Sequence, residues 1–333
     1  MKKTNKKASK KALLLVLVCV LVLCSALLAI NVWEQQQDFK GEETTTTPSS
    51  SSMGVELNGV EYELNENIET ILVMGLDKYE GDIDTSSYNN DQQADFLMLF
   101  ILDNQNKTCK ALHINRDTMA EMNVLGVAGQ EIGTIKQQLA LSHTYGNGQN
   151  VSCRNTAKAV SNLLYDIDIT HYVSVTMDAV PVYNDLIGGV TIEVLDDFTG
   201  IDDTLVKGET VTLMGEKALV YVRTRYGMED STNNHRMIRQ RQYLEELYKI
   251  TREKVEEDEG FILTAWEELT PYTISDCYEQ DLQRIYEKVA GYEYLGTEYL
   301  KGESIMGERF MEFYPDEAEL KKYVIETFYT PKN

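Results

Sequence analysis

The sequence has 333 residues, with 31 Lys and Arg against 54 Asp and Glu, a formal charge of −23. All six lysines of residues 1–33 stand without an acid, so residues 34–333 carry 25 cations against 54 acids, or −29. That balance excludes a non-specific nucleic-acid binder, and 43% hydrophobic content with 20 Tyr and 5 Pro excludes a wholly disordered or collagen-like chain.

Residues 1–11 form a basic tail, and residues 12–33 are almost entirely Leu, Val, Ala and Ile, closed by Trp33. At about 1.5 Å per helical residue such a run spans the roughly 30 Å hydrocarbon core. The lysines before it keep the N-terminus cytoplasmic and send the rest outside, as a single-pass membrane protein with an extracellular domain. A cleaved signal peptide is the competing reading, but its apolar core is about 7–15 residues, and no small-x-small cleavage site stands out near Ser25-Ala26-Leu27. The retained span is favoured. Residues 34–54 contain Thr44-Thr45-Thr46-Thr47-Pro48 and a serine run, which read as a flexible stalk.

Beyond the stalk, Val55–Leu64 alternates around Asn58-Gly59 and predicts a hairpin. Apolar runs at Ile71–Leu76, Phe96–Leu102, Cys109–Ile114, Tyr172–Met177 and Val190–Val194 predict buried strands. Helical patterns at Thr156–Tyr165, Asp178–Ile187 (stopped by Gly188-Gly189), Gly215–Arg223 and Asn233–Val255 lie between and after them. Strands alternating with helices predict an α/β fold, a layered central sheet flanked by helices, over residues 55–255. Residues 256–333 read as a C-terminal extension packing on that domain, with a separate small domain as the alternative. Outside the apolar run only Cys109, Cys153 and Cys277 remain, which indicates no disulfide framework, and neither their spacing nor that of the four His fits a zinc motif. His143 could line a site, but a structural histidine is the favoured reading.

Half of the ten arginines, Arg223, Arg225, Arg236, Arg239 and Arg241, fall within 19 residues of this acidic chain. Arg236 and Gln240 are four apart on a predicted helix, with Arg239 beside them, and Arg223 and Arg225 share a face if extended. Guanidinium groups suit bidentate phosphate contacts, so the cluster predicts an anion site, against the alternative of a solvated face paired with Glu229, Asp230, Glu245 and Glu246. Asp77 follows one predicted strand and Asp95 opens the next, where carboxylates could hold a hard divalent cation, although turns favour Asp in any case. Arg116-Asp117 directly follows a third strand, at the kind of position where α/β sheets bind ligands. No serine or cysteine nucleophile arrangement is visible.

Six segments in order carry a resemblance: Ile71–Asp77, Ala94–Leu99, Ile114–Met119, Leu186–Val190, Gly215–Arg225 and Asn234–Gln242. Together with the basic tail and apolar run, the series resembles the LytR-CpsA-Psr (LCP) family of bacterial cell-envelope proteins, over roughly residues 68–250. The resemblance implies a membrane-anchored phosphotransferase that moves an anionic glycopolymer, such as a wall teichoic acid or capsular polysaccharide, from undecaprenyl pyrophosphate to a peptidoglycan acceptor. It implies Mg²⁺ on Asp77 and Asp95, and a pyrophosphate grip by Arg116, Arg223, Arg225, Arg236, Arg239 and Gln240. Asp95, Arg116 and Asp117 are then the catalytic candidates, Asp117 orienting Arg116. This chain has Gln93 and Asn115 where the family commonly has Arg and Pro. A non-catalytic binder or regulator of lipid-linked precursors, and a pyrophosphatase releasing the glycan to water, would use the same pocket.

Overall fold

A computed structural model describes residues 55–332 except 58, 78–89, 127, 226, 228–231, 259, 278–283, 286–287 and 290. The predicted span at 12–33 and stalk at 34–54 lie outside the described residues, among which no helix is long and apolar enough to cross a membrane. The architecture follows from strands that bury both faces. In β3 (Ile68–Leu76), Ile71 and Val73 point into one core while Leu72, Met74 and Leu76 point into the other. β4 (Ala94–Asp103) divides the same way, with Met98, Phe100 and Leu102 opposite Leu97, Leu99 and Ile101. Alternation of side chains across a strand with apolar residues on both sides gives the continuous hydrophobic run seen in the sequence. Each such fully buried Leu or Ile contributes about 1.5–3 kcal/mol relative to exposure.

These strands belong to a six-stranded mixed sheet in the order β11-β8-β3-β4-β5-β12, adding β5 (Thr108–Ile114), β8 (His171–Thr176), β11 (Thr273–Ser275) and β12 (Glu293–Tyr299). β3 runs parallel to β8 and β5 parallel to β12, while β3/β4, β4/β5 and β8/β11 are antiparallel. One face is covered by α2 (Ala179–Leu186), α3 (Glu216–Arg223), α4 (Asn233–Glu257) and α5 (Phe261–Leu269). The other packs against α1 (Asn150–Leu163) and α6 (Glu317–Phe328). Both edge strands of the sheet come from residues beyond 255, and β15 (Tyr329–Pro331) pairs with β2 (Val60–Leu64) of the N-terminal hairpin, whose partner is β1 (Val55–Leu57). Residues 256–333 thus complete the central sheet.

Three local differences from the sequence reading have physical causes. β9 (Val190–Glu193) leaves the sheet to pair with β10 (Thr210–Leu213), and its burial alternates, as a one-sided ribbon requires. In the hairpins β6 (Met119–Leu125) with β7 (Glu131–Gln138), and β13 (Gly302–Met306) with β14 (Met311–Pro315), the second strand of the first and the first strand of the second are mostly exposed and their partners mostly half-buried, so neither hairpin carries a continuous apolar run. α1 begins six residues before the predicted Thr156, because Ser152 and Cys153 are buried as part of its inner face.

Candidate active site at one edge of the sheet

Because β3 and β4 are antiparallel, the end of the first and the start of the second meet, and the end of β5 joins them through the Leu97–Ile114 pair. Asp77, Asp95 and the loop Asn115–Thr118 therefore converge on one edge of the sheet. Gly75 lies directly across from Phe96, where a Cβ would come within 2.8 Å of the Phe96 Cβ, so the two strands need glycine for their close approach. The loop after β5 is pinned on all sides. Asn115 Oδ1 accepts from the Asp117 amide at 3.0 Å and from Asn233 Nδ2 at 2.8 Å, while the Arg116 carbonyl accepts from the Ala140 amide. Asn115 thereby ties the loop to the start of α4.

Four guanidiniums meet three carboxylates here. Arg116 Nη1 stands 2.6 Å from Asp95 Oδ1, and its Nη2 donates to Gln93 Oε1. Arg236, buried on α4, reaches Asp95 Oδ2 at 3.3 Å and is steadied by Asn233 at 2.8 Å. Arg225 lies 3.0 Å from Asp117 Oδ2, and Arg116 Nε is 3.6 Å from Asp117 Oδ1. Arg223, more exposed, faces Asp77 at 3.7 Å. Burial lowers Arg236 to about 10, which still leaves it charged at neutral pH. Gln93 acts as an acceptor for Arg116. The alternative of a solvated arginine face does not hold for Arg236, which is 3% exposed and paired with Asp95.

Two predicted phosphate contacts are placed differently. Arg239 points away from the cluster: it is 1% exposed, donates to the Tyr221 carbonyl at 2.9 Å and to Asp196 and the Thr224 carbonyl, and lies over the Phe198 ring. Asp196 and the carbonyls at the end of α3 draw its guanidinium to that side of the helix. Gln240 donates to the Val222 carbonyl at 3.2 Å and also lines the cavity described below. Both residues hold the end of α3 that carries Arg223. His143 is buried, pushed down to about 4 by desolvation, and bonds the Gln92 carbonyl, as a structural histidine does.

The carboxyl of Asp77 is raised to about 6, chiefly by burial and then by the neighbouring Asp95 charge, with which it shares a hydrogen bond. Two carboxylates this close form an oxygen-only donor set suited to a hard cation such as Mg²⁺. The sign of the linkage is fixed. Between the unfolded value near 3.8 and the folded value near 6, the native state holds the extra proton, so stability rises as pH falls through that window. The ionised pair therefore costs stability at neutral pH, on the order of 1 kcal/mol once solvent screening is allowed for. Asp77→Asn is expected to melt about 2 °C higher than wild type at about pH 7.5 without divalent cation, and to match it near pH 5. Melting curves that show no difference at the higher pH would remove the strain from this pair.

Behind the charges lies an apolar cavity of about 450 Å³ between the sheet and helices α2 and α4. Val73, Met98, Phe100, Val175, Tyr183 and Leu247 form much of its wall, and Tyr294 and Thr297 of β12 close one side. Gly75, Phe96 and Gln240, two residues before Asp77, next to Asp95 and one helical turn after Arg236, also line it, so the apolar space adjoins the charged edge. The residues expected from sequence did not include this wall, because its members come from seven separate elements.

Comparison with known proteins gives a consistent result. The model of the LytR_cpsA_psr family matches residues 29–323. The chain is 30% identical over 182 residues to the polyisoprenyl-teichoic acid–peptidoglycan teichoic acid transferase TagU of Bacillus licheniformis, covering 54% of this chain and 51% of that protein. It is 31% identical over 163 residues to the transferase TagV of Bacillus subtilis, covering 47% and 37%. The chain spans about half the length, or less, of these curated relatives. The crystal structure of B. subtilis TagV superposes with a TM-score of 0.58 at 25% identity, over 79% of this chain and 98% of that one. A structure described as TagT bound to LI-WTA gives 0.56 at 20% identity, over 79% and 91%, which shows the shared fold.

Proposed function

Because the chain belongs to the LytR_cpsA_psr family, we propose that it transfers an anionic glycopolymer from a polyprenyl pyrophosphate carrier to peptidoglycan. The observation that carries this reading is the junction of Arg116, Arg223, Arg225 and Arg236 with an apolar cavity, since a polyprenyl pyrophosphate is an anion joined to a hydrocarbon tail. The cavity takes part of the tail and the arginines take the pyrophosphate. A hydroxyl of peptidoglycan attacks the sugar-side phosphorus, and polyprenyl phosphate leaves. Little covalent chemistry falls to the protein in such a transfer; its work is positioning and neutralising charge. Asp117 orients Arg116 and Arg225, and Asp95 holds Arg116 and Arg236 in register. Asp77 and Asp95 would hold Mg²⁺, which when bound supplies further charge neutralisation at the phosphates. The six lysines and the apolar run at 12–33 support a membrane tether with the domain outside the cell.

The test is an incubation of the purified full chain with a polyprenyl-pyrophosphate-linked glycan, peptidoglycan oligomers and Mg²⁺. The expected products are a glycan covalently joined to peptidoglycan and free polyprenyl phosphate. Free phosphorylated glycan as the sole product, or binding without turnover, would overturn the proposal. Filling the cavity with Val73→Phe or Met98→Trp is expected to raise KM for the long-chain donor about tenfold or more, by excluding a few methylenes. Inhibition by a diphosphate lacking the tail should be unchanged; an equal loss for both ligands would separate the cavity from the tail.

A further inference from the structure

At the opposite end of β8 from the arginine cluster, three side chains with metal-binding atoms come together: His171, Asp276 and Cys277. Neither the cysteine spacing nor the histidine spacing announces this group, because 105 residues separate its halves. Strand pairing assembles it. β11 runs antiparallel to β8 with Ser275 opposite Val173, so the chain just past β11 returns beside His171.

We propose that His171, Asp276 and Cys277 form a zinc site that fastens the edge strand β11 to the sheet. One imidazole, one carboxylate and one thiol are the donor types zinc takes. A tetrahedral zinc with bonds of about 2.0–2.3 Å sets ligand atoms roughly 3.3–3.6 Å apart. His171 Nδ1 and Asp276 Oδ1 stand 3.7 Å apart, Cys277 Sγ and Asp276 Oδ1 3.9 Å, and all three ligand atoms lie within 4.8 Å of one another. Small side-chain rotations close that gap. The backbone already holds the donors in place: the Tyr172 amide donates to Asp276 Oδ1 at 2.9 Å, and the Cys277 amide to Ser275 Oγ at 3.0 Å. Cys277 is 1% exposed, while the Asp276 side chain is 32% exposed, leaving one open side for a water as fourth ligand. His171 pairs with Ile71, and Asp77 lies six residues further along that strand direction, about 20 Å away at roughly 3.3 Å per residue. The zinc site therefore lies apart from the Asp77–Asp95 pair.

The test uses the full chain, purified in detergent and stripped with a chelator. Zinc chloride is expected to bind one equivalent and raise the melting temperature by roughly 3–6 °C, with excess Mg²⁺ failing to compete. Cobalt(II) in place of zinc is expected to give a sulfur-to-cobalt charge-transfer absorption that disappears in Cys277→Ser and in His171→Ala. Circular dichroism of each variant reports whether it is folded, and the zinc-dependent shift in Asp276→Asn gives a second reading with the thiol intact. No thermal shift with zinc and no cobalt band would overturn the site and leave a His171–Asp276 ion pair. A band that persists in Cys277→Ser would equally overturn it, by placing the metal on another cysteine.

Discussion

Arg116→Ala is expected to lower the rate of glycopolymer transfer about a thousandfold, with a smaller effect on donor binding. Arg116 is 7% exposed and touches both Asp95 and the Gln93 side-chain amide while lying beside Asp117. Its position is set by acceptors on three sides, so it meets a bound phosphate already oriented. Pre-aimed charge of this kind stabilises the charge that develops in the transition state more than that of the ground state. The loss should therefore fall on kcat, with Kd for the donor changing several-fold at most, since Arg223, Arg225 and Arg236 remain. Arg116→Lys keeps the charge but cannot span Asp95 and Gln93 with two nitrogens, and is expected to recover only a small part of the rate. Single-turnover transfer with labelled donor, alongside equilibrium binding and a thermal melt, measures the three quantities. Transfer by a folded Arg116→Ala near the wild-type rate would contradict the assignment.

The site was legible where local signals coincide with strand ends. Asp77, Asp95 and Arg116-Asp117 each abut an apolar run, and a run buried on both faces marks a central strand without knowledge of its partners. That the ends of β3 and β5 meet the start of β4 requires only that the three strands be neighbours in alternating direction. The Arg223–Arg236 cluster was visible as a local excess of arginine in an acidic chain. What was illegible depends on contacts distant in sequence. Arg239 sits in the same cluster by composition, yet Asp196, 43 residues earlier, takes its guanidinium. The edge strands β11 and β12 carry few fully buried residues and are short or exposed, so nothing in their pattern names the strands they pair with. The apolar cavity has the same difficulty, since an unfilled space has no sequence pattern of its own. Asn115 shows a different limit. Its side chain bonds the Asp117 amide and Asn233, so it fixes the Arg116 loop by hydrogen bonds at a position where the family's proline would fix φ.

Arg239→Ala is expected to destabilise the protein by about 3–5 kcal/mol, the largest stability loss of any single arginine here. Its guanidinium is fully engaged: Nε bonds the Tyr221 carbonyl, one terminal nitrogen pairs with Asp196, and the other bonds the Thr224 carbonyl. The plane lies 5.4 Å from the Phe198 ring centre and 5.9 Å from that of Tyr221. Truncation leaves Asp196 with the more exposed His235 but without its buried partner, takes this donor from two carbonyls and opens a gap beside the stacked Phe198 and Tyr221 rings, and these losses act together. The consequence reaches the active edge, because Tyr221 and Thr224 flank Arg223 at the end of α3. With those carbonyls released, the turn that aims Arg223 and Arg225 loses its anchor. Arg239→Lys retains a charge for Asp196 but not the fork that serves three acceptors, so it is expected to recover part of the stability while leaving transfer about tenfold or more below wild type. Urea denaturation gives the stability, and transfer measured well below the melting point separates mispositioned arginines from unfolded protein. If Arg239→Lys recovers stability and full transfer together, charge alone suffices and the fork does not position the site. If Arg239→Ala shifts the urea midpoint by no more than a surface substitution does, the buried network around Asp196 does not stabilise the fold.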